Sequence, residues 1–183
     1  MAYRGKEIVN PKTKQSIKFL QTGKDTDGLL LEMEAAWLEH SKEPAEHYHP
    51  YQEEFFKVLE GEVTVKVHGQ LKKLFKGDTL HIPRNTVHAM WNGSDRKAVV
   101  NWQVRPALEM ENLLETATGL AAEGKTNENG MPNILQVALM ANKYANVFRL
   151  SKPAYFVQKA LFLMLTPVAW LAGLRPTYEH YLD

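Results

Sequence analysis

The chain of 183 residues contains no cysteine. That absence removes thiol nucleophiles, thiolate metal sites and disulfides together, so a metal centre here has to be built from histidine and carboxylate. A charge imbalance is missing as well: 22 Lys and Arg stand against 21 Asp and Glu. No broad basic field points to nucleic acid, and none is expected as a partner. Two mild lysine clusters, at Lys12, Lys14 and Lys18 and at Lys72, Lys73 and Lys76, read as solvated strand edges and turns. The opening stretch, Met1 to Phe19, lacks the apolar core of a secretory signal, which sets a cytoplasmic address as the expectation. Internal repeats, low-complexity segments, a Gly-rich phosphate loop and a Ser-His-Asp arrangement are also lacking.

What is present divides near Val104–Leu108. Before that point the apolar pattern has a period near two. In residues 29–38, Leu31, Met33, Ala35 and Trp37 share one face, with Glu32 and Glu34 on the other. In residues 62–68, Val63, Val65 and Val67 oppose Glu62, Thr64 and Lys66. Further strands are expected at 54–59, 79–82, 87–91 and 98–105, with Gly28, Pro50, Gly61, Gly69, Gly77, Asn85 and Asn92-Gly93 between them. Short strands so spaced, with Gly-containing turns, predict an all-β sandwich or barrel.

After Pro106 the period lengthens. Met110, Leu113, Leu114, Ala117, Leu120 and Ala121 follow helical spacing. A polar break at 122–133 precedes a second helix, expected over about 133–148. The most apolar stretch follows at 154–174, of which residues 160–174 carry no charge. Fifteen residues fall short of a membrane span. Pro167 is expected to break this stretch near Thr166 into two short helices. The expected role is to cover an apolar face on the barrel or on a dimer partner, with peripheral membrane contact as the alternative.

The segment EHYHPYQEEFFKVLEG, residues 46–61, carries the chemistry. His47 and His49 leave one face of a strand, spaced for a single ion. Glu54 is an odd step further on, so Pro50 and its neighbours must bend or bulge the chain to bring it back. Two imidazoles and a carboxylate suit a borderline divalent metal. A fourth candidate, His88, lies in GDTLHIPRNTVHAMWN at 77–92, where Asn85 occupies a turn position that favours positive φ.

These two stretches together resemble the paired motifs of the cupin superfamily. The first motif reads Gly, five residues, His-x-His, three or four residues, Glu, six residues, Gly. His47, His49, Glu54 and Gly61 match it, with Ser41 in place of the leading Gly. The second reads Gly, five residues, Pro-x-Gly, two residues, His, three residues, Asn. Gly77, Pro83, His88 and Asn92 match, with Asn85 for the middle Gly. Both departures are at turn glycines and neither touches a ligand position.

The resemblance implies a mainly β fold, a double-stranded β-helix or jelly-roll barrel, over residues 20–106; the helical period after Pro106 adds an α-helical extension over 107–183 that is not part of the motif. It implies one divalent transition metal (iron, manganese, nickel, zinc or copper) held by His47, His49, Glu54 and His88. It further implies a small-molecule ligand and a homodimer. Glu54 is expected to act as ligand and proton acceptor together. Trp37, Phe56, Met90 and Trp102 are expected to line the chamber or, equally well, to pack as core. Glu53 is expected to face solvent. His81 is weighed between an inert surface position and a partner of a ligand. His40, His68 and His180 read as surface residues. The expected function is a metal-dependent enzyme of dioxygenase, isomerase or cyclase type on a small oxygenated molecule. The alternative is a non-catalytic module that binds a small molecule or metal, peripheral to a membrane through residues 154–174.

Overall fold

The computed structural model describes residues 1–182. Two antiparallel sheets face each other. The larger is built from β1 (Glu7–Asn10), β2 (Gln15–Gln21), β3 (Leu31–Trp37), β10 (Ala98–Arg105), β5 (Glu53–Glu60) and β8 (Thr79–Ile82), in the order β1-β2-β3-β10-β5-β8. The smaller contains β11 (Arg149–Leu150), β4 (His47–Tyr48), β9 (His88–Trp91), β6 (Glu62–Val67) and β7 (Gln70–Phe75), in the order β11-β4-β9-β6-β7. The alternation seen in the sequence becomes burial. Leu31, Met33, Ala35 and Trp37 of β3 point inward, as do Val63 and Val65 of β6. Phe56, Val58, Val100 and Val104 of the larger sheet and Met90 of the smaller one join them in a single core cluster. Hiding these side chains from water is the main term holding the sheets together, at about 1.5–3 kcal/mol for each large aliphatic or aromatic group.

Of the two lysine-rich segments, the first spans the β1–β2 turn (Lys12, Lys14) and β2 (Lys18), and the second sits at a sheet edge. Lys72 and Lys73 lie on β7, whose residues are exposed except Leu74. Charged side chains on an exposed edge discourage pairing with another chain. The β-structure reaches outside residues 20–106 at both ends. β1 precedes residue 20 and β2 begins before it, and β2 pairs with β3 along its length. β11, from the C-terminal part, pairs with β4 through Leu150 opposite His47.

Gly61 makes the tightest turn of the barrel, between β5 and β6. Its φ of +70° is a glycine conformation, and a Cβ there would lie 2.4 Å from the Lys97 carbonyl oxygen. Asn85 carries φ +62°, so it does the conformational work of the glycine it replaces. Ser41 turns its difference from glycine to use. It is buried, and its hydroxyl accepts the Asn92 amide at 2.8 Å while its own amide donates to the Asn92 carbonyl. Asn92 in turn donates through its side chain to the Trp37, Leu38 and Arg96 carbonyls.

Beyond the sheets come α1 (Met110–Ala122), α2 (Ile134–Lys143), α3 (Tyr155–Leu171) and the short α4 (Glu179–Leu182). α2 is shorter than the sequence period suggests. It opens on Asn133, which caps the Gln136 amide, and ends at Tyr144 so that Tyr144–Phe148 can turn back into the barrel mouth. α3 corrects the expectation of a break at Pro167: the helix runs through it. Proline removes one amide donor, and the carbonyl it strands belongs to Leu163, an exposed residue that water can serve. Packing supplies the rest. Asn142 of α2 donates to Thr166 Oγ1, and Thr166 donates to the Phe162 carbonyl, so α2 grips α3 beside the proline.

Candidate metal centre

His47 and His49 emerge from one strand of the smaller sheet, and Glu54 from a strand of the larger one. The phase reset between them is therefore not a bulge within a strand. Residues 50–52 carry the chain from one sheet to the other. Gln52, fully buried at this crossing, donates to the Pro106 and Ala107 carbonyls and so fastens it to the end of β10. The second stretch is locked to the first at two points. The Asn85 amide donates to the His49 carbonyl, and His47 sits directly opposite His88 in the β4–β9 pairing.

The outcome is a convergent cluster. The ligand atoms of His47, His49 and His88 all lie within 4.8 Å of one another. Each ring uses its Nδ1 on a backbone carbonyl: His47 on Ala45 at 3.0 Å, His49 on Val147 at 2.6 Å, His88 on Thr86 at 2.9 Å. A carbonyl can only accept, so Nδ1 carries the proton in all three and the Nε2 lone pairs are left to face inward. Glu54 closes the cluster from the opposite sheet. Its Oε2 is 2.8 Å from His88 Nε2 and 3.3 Å from His49 Nε2. Its Oε1 accepts the Trp102 indole N–H at 2.9 Å.

Glu54 is 1% exposed and His49 and His88 are 3% exposed. Neither Glu54 Oε2 nor His49 Nε2 has an aligned hydrogen-bond partner. Buried lone pairs facing one another without a donor between them are unfavourable, and a cation among them is the natural remedy. The donor set of three neutral imidazoles and one carboxylate thus fits a divalent metal. Electrostatics agree. Burial, reinforced by the neighbouring His88 and His49, drives the His47 pKa down to about 3, so this ring stays neutral. Burial pushes Glu54 upward, but the His49 and His88 imidazoles outweigh it and hold the carboxyl well below its usual range. Burial likewise pulls His88 down, and its contact with the Glu54 carboxylate overrides that pull, leaving it raised.

A family model for the cupin domain matches residues 37–104. The chain carries a cupin domain. Among curated relatives, this cupin is 50% identical over 44 residues to quercetin 2,3-dioxygenase of Bacillus subtilis, a match covering 24% of this chain and 13% of that one. It is 30% identical over 81 residues to the tetracenomycin polyketide synthase protein TcmJ of Streptomyces glaucescens, covering 44% of this chain and 52% of that one. The cupin chain thus spans about half, or much less, of the curated relatives it matches. Among solved structures, an RmlC-like cupin from Shewanella frigidimarina is 21% identical with a TM-score of 0.48, over 57% of this chain and 86% of that one.

A cavity of about 280 Å³ adjoins the cluster, and its lining is mostly apolar. Trp37, Phe56, Met90 and Trp102, the four residues singled out in the sequence, all line it. Trp37, Phe56 and Met90 are buried, so they are core and chamber wall at once. Trp102 stacks on Phe56 with ring centroids 5.8 Å apart. The other histidines lie elsewhere. His81 stacks on Phe55 and contacts Glu53 at 3.1 Å on the outer face of the sheet, where Glu53 also meets Arg84. His40 pairs with Asp95 and His180 with Glu123 at the surface, and His68 is exposed.

Sequence reasoning missed the contribution of the helical extension. Phe148 stacks on His47 at 4.6 Å, and the Val147 carbonyl orients His49 from 98 positions away in sequence. Met140, Tyr144 and Phe162 complete the chamber roof. No local pattern announces a backbone carbonyl as a partner. The apolar character of Val147-Phe148, next to the polar turn before it, was the one available sign.

Proposed function

We propose that this cupin is a metal-dependent protein acting on a small oxygenated organic molecule, with the metal held by His47, His49, His88 and Glu54. The observation that carries the reading is the tautomer lock: three Nδ1 atoms committed to carbonyls, three Nε2 lone pairs converging, and a buried carboxylate opposite. A divalent ion bound there would supply Lewis acidity toward a substrate oxygen and, with iron, manganese, nickel or copper, redox chemistry. The protein's own part is threefold. The carbonyls of Ala45, Thr86 and Val147 keep the imidazoles from rotating. Trp102 pins one oxygen of Glu54, leaving the other to face the cluster and to take a proton from a substrate enol or hydroxyl. Phe56, Met90, Phe148 and the aromatic roof exclude water and favour a flat, largely apolar substrate. Partial matches to a quercetin dioxygenase and to a polyketide synthase protein support an aromatic or polyketide-like substrate class.

The second reading is a binding module without turnover. It is favoured by one observation: among the described residues lining the cavity, Glu54 is the only carboxylate and the three clustered rings are the only imidazoles. Metal-reconstituted protein, incubated with a panel of aromatic diols and enolisable polyketides, separates the two. Substrate loss that disappears in a His47→Ala/His88→Ala variant is the expected result. Quenching of tryptophan fluorescence by the same compounds, without any product, would overturn the enzymatic reading in favour of the binding module.

A further inference from the structure

α3 is built the wrong way round for a helix on a water-soluble surface. Its polar residues Gln158 and Thr166 point inward: Gln158 is buried and donates to the Leu150 and Pro153 carbonyls, and Thr166 meets α2. Its outward half is apolar. Phe156 is 75% exposed, Met164 69% and Leu171 90%, and Leu163, Val168 and Trp170 stand beside them. The one exposed polar side chain of the whole helix is Lys159, at the margin of this face. An ordinary amphipathic helix presents the reverse arrangement.

The charge around the face is one-sided. Between Glu128 and Glu179 there is no Asp or Glu, yet there are Lys143, Arg149, Lys152, Lys159 and Arg175. Lys143 is committed to Glu109, and Arg149 lies over the Tyr155 ring. Lys152, Lys159 and Arg175 are exposed and border the face, with Arg175 stacked 4.7 Å over Trp170. On the barrel side, Glu46 is paired with Lys66 and also feels the charge of Lys152.

A second copy of the chain fits this surface poorly. A two-fold contact through α3 would set cationic rims against each other, with no carboxylate in the stretch between Glu128 and Glu179 to pair them. An anionic surface fits both features, the apolar face and the cationic rim. No described helix is long and apolar enough to cross a bilayer, so the contact would lie in the interface plane. An indole beside a guanidinium is suited to headgroup depth.

We infer that the exposed face of α3 docks on a membrane surface bearing anionic lipid. Phe156, Leu163, Met164 and Leu171 enter the acyl boundary while Lys152, Lys159 and Arg175 engage the headgroups. The opposite face of the same helix, through Tyr155 and Phe162, lines the cavity above the histidine cluster. Docking therefore places the chamber about one helix diameter, roughly 10 Å, from the lipid.

Flotation of the full chain with vesicles tests this. Vesicles of phosphatidylcholine containing one third phosphatidylglycerol are compared with phosphatidylcholine alone, at low and high salt, beside a Leu163→Glu/Leu171→Glu variant. Both substituted residues are exposed, so the variant should keep its circular dichroism and thermal midpoint. The wild type is expected to float with the anionic vesicles about a hundredfold more strongly than with neutral ones, at about fivefold for each of three cations. High salt should erase most of that preference, and the variant should lose at least tenfold in binding. Equal binding to both vesicle types would overturn the role of the cationic rim. Protein that stays in solution with both would overturn the proposal outright. So would a concentration-dependent dimer that the variant dissociates and that ignores vesicles, since a second copy would then cover the face.

Discussion

Replacing Trp102 with phenylalanine isolates one contact of the metal centre. The ring still stacks on Phe56, but the indole N–H that donates to Glu54 Oε1 at 2.9 Å is gone. A hydrogen bond to a buried charged group contributes about 1.5–3 kcal/mol. For a chain of this length each kcal/mol corresponds to about 2–4 °C, so the apoprotein midpoint should fall by about 3–12 °C. The effect on metal should be distinct from the effect on stability. With Oε1 released, the carboxylate loses the contact that orients it, and loss of such a supporting contact typically weakens metal binding about 10–100-fold. Competition titration against a fluorescent chelator, using one metal throughout, reads that loss directly. Trp170→Phe is the control, because it removes an exposed indole outside the cavity. A Trp102→Phe protein that binds metal as tightly as wild type would refute the idea that Trp102 orients Glu54.

Three further outcomes follow from the same structure. Gly61→Ala should lower stability by about 1–3 kcal/mol from its positive φ alone, with more from the clash at the Lys97 carbonyl, read as a fall in thermal midpoint. Ser41→Gly would restore the motif's own residue, yet it strands the buried Asn92 amide and should cost about 1–3 kcal/mol in chemical denaturation. The apoprotein should lose stability as the pH falls. His47 is neutral in the fold down to about pH 3 but takes a proton near 6.5 once unfolded, so its share is complete above 6.5 and drains away below it. Glu54, held low, adds a second loss below about 4.5. The raised His88 acts in the opposite sense, its share being present below about 6.5 and lost as pH rises through its folded value. A His47→Asn variant should therefore show a flatter decline of thermal midpoint between pH 6.5 and 4.5.

Much of the barrel could be read from the chain because its central strands alternate apolar and polar residues. β3, β6 and the inward phase of Glu54, Phe56 and Val58 are visible in this way. Edge strands resist such reading, since one side of them needs no apolar partner. β7 is charged along most of its length, and β11 is two residues fixed by pairing with β4. The four clustered side chains were legible from local spacing together with the resemblance to the paired cupin motifs, because the fold holds them through short local turns. The carbonyls of Ala45 and Thr86 are local too, two residues from the rings they orient. Val147 and Phe148 were not legible, as only the return of the chain after α2 brings them to the site. Pro167 misled for a similar reason: intrinsic preference forbids it mid-helix, and the grip of Asn142 on Thr166 overrules that preference.

The most direct measurement is elemental analysis of the purified protein beside the His47→Ala/His88→Ala variant. About one equivalent of a divalent transition metal in the wild type, and none in the variant, is the expected result. Wild-type protein that takes up no metal even after reconstitution, while remaining folded, would contradict the account.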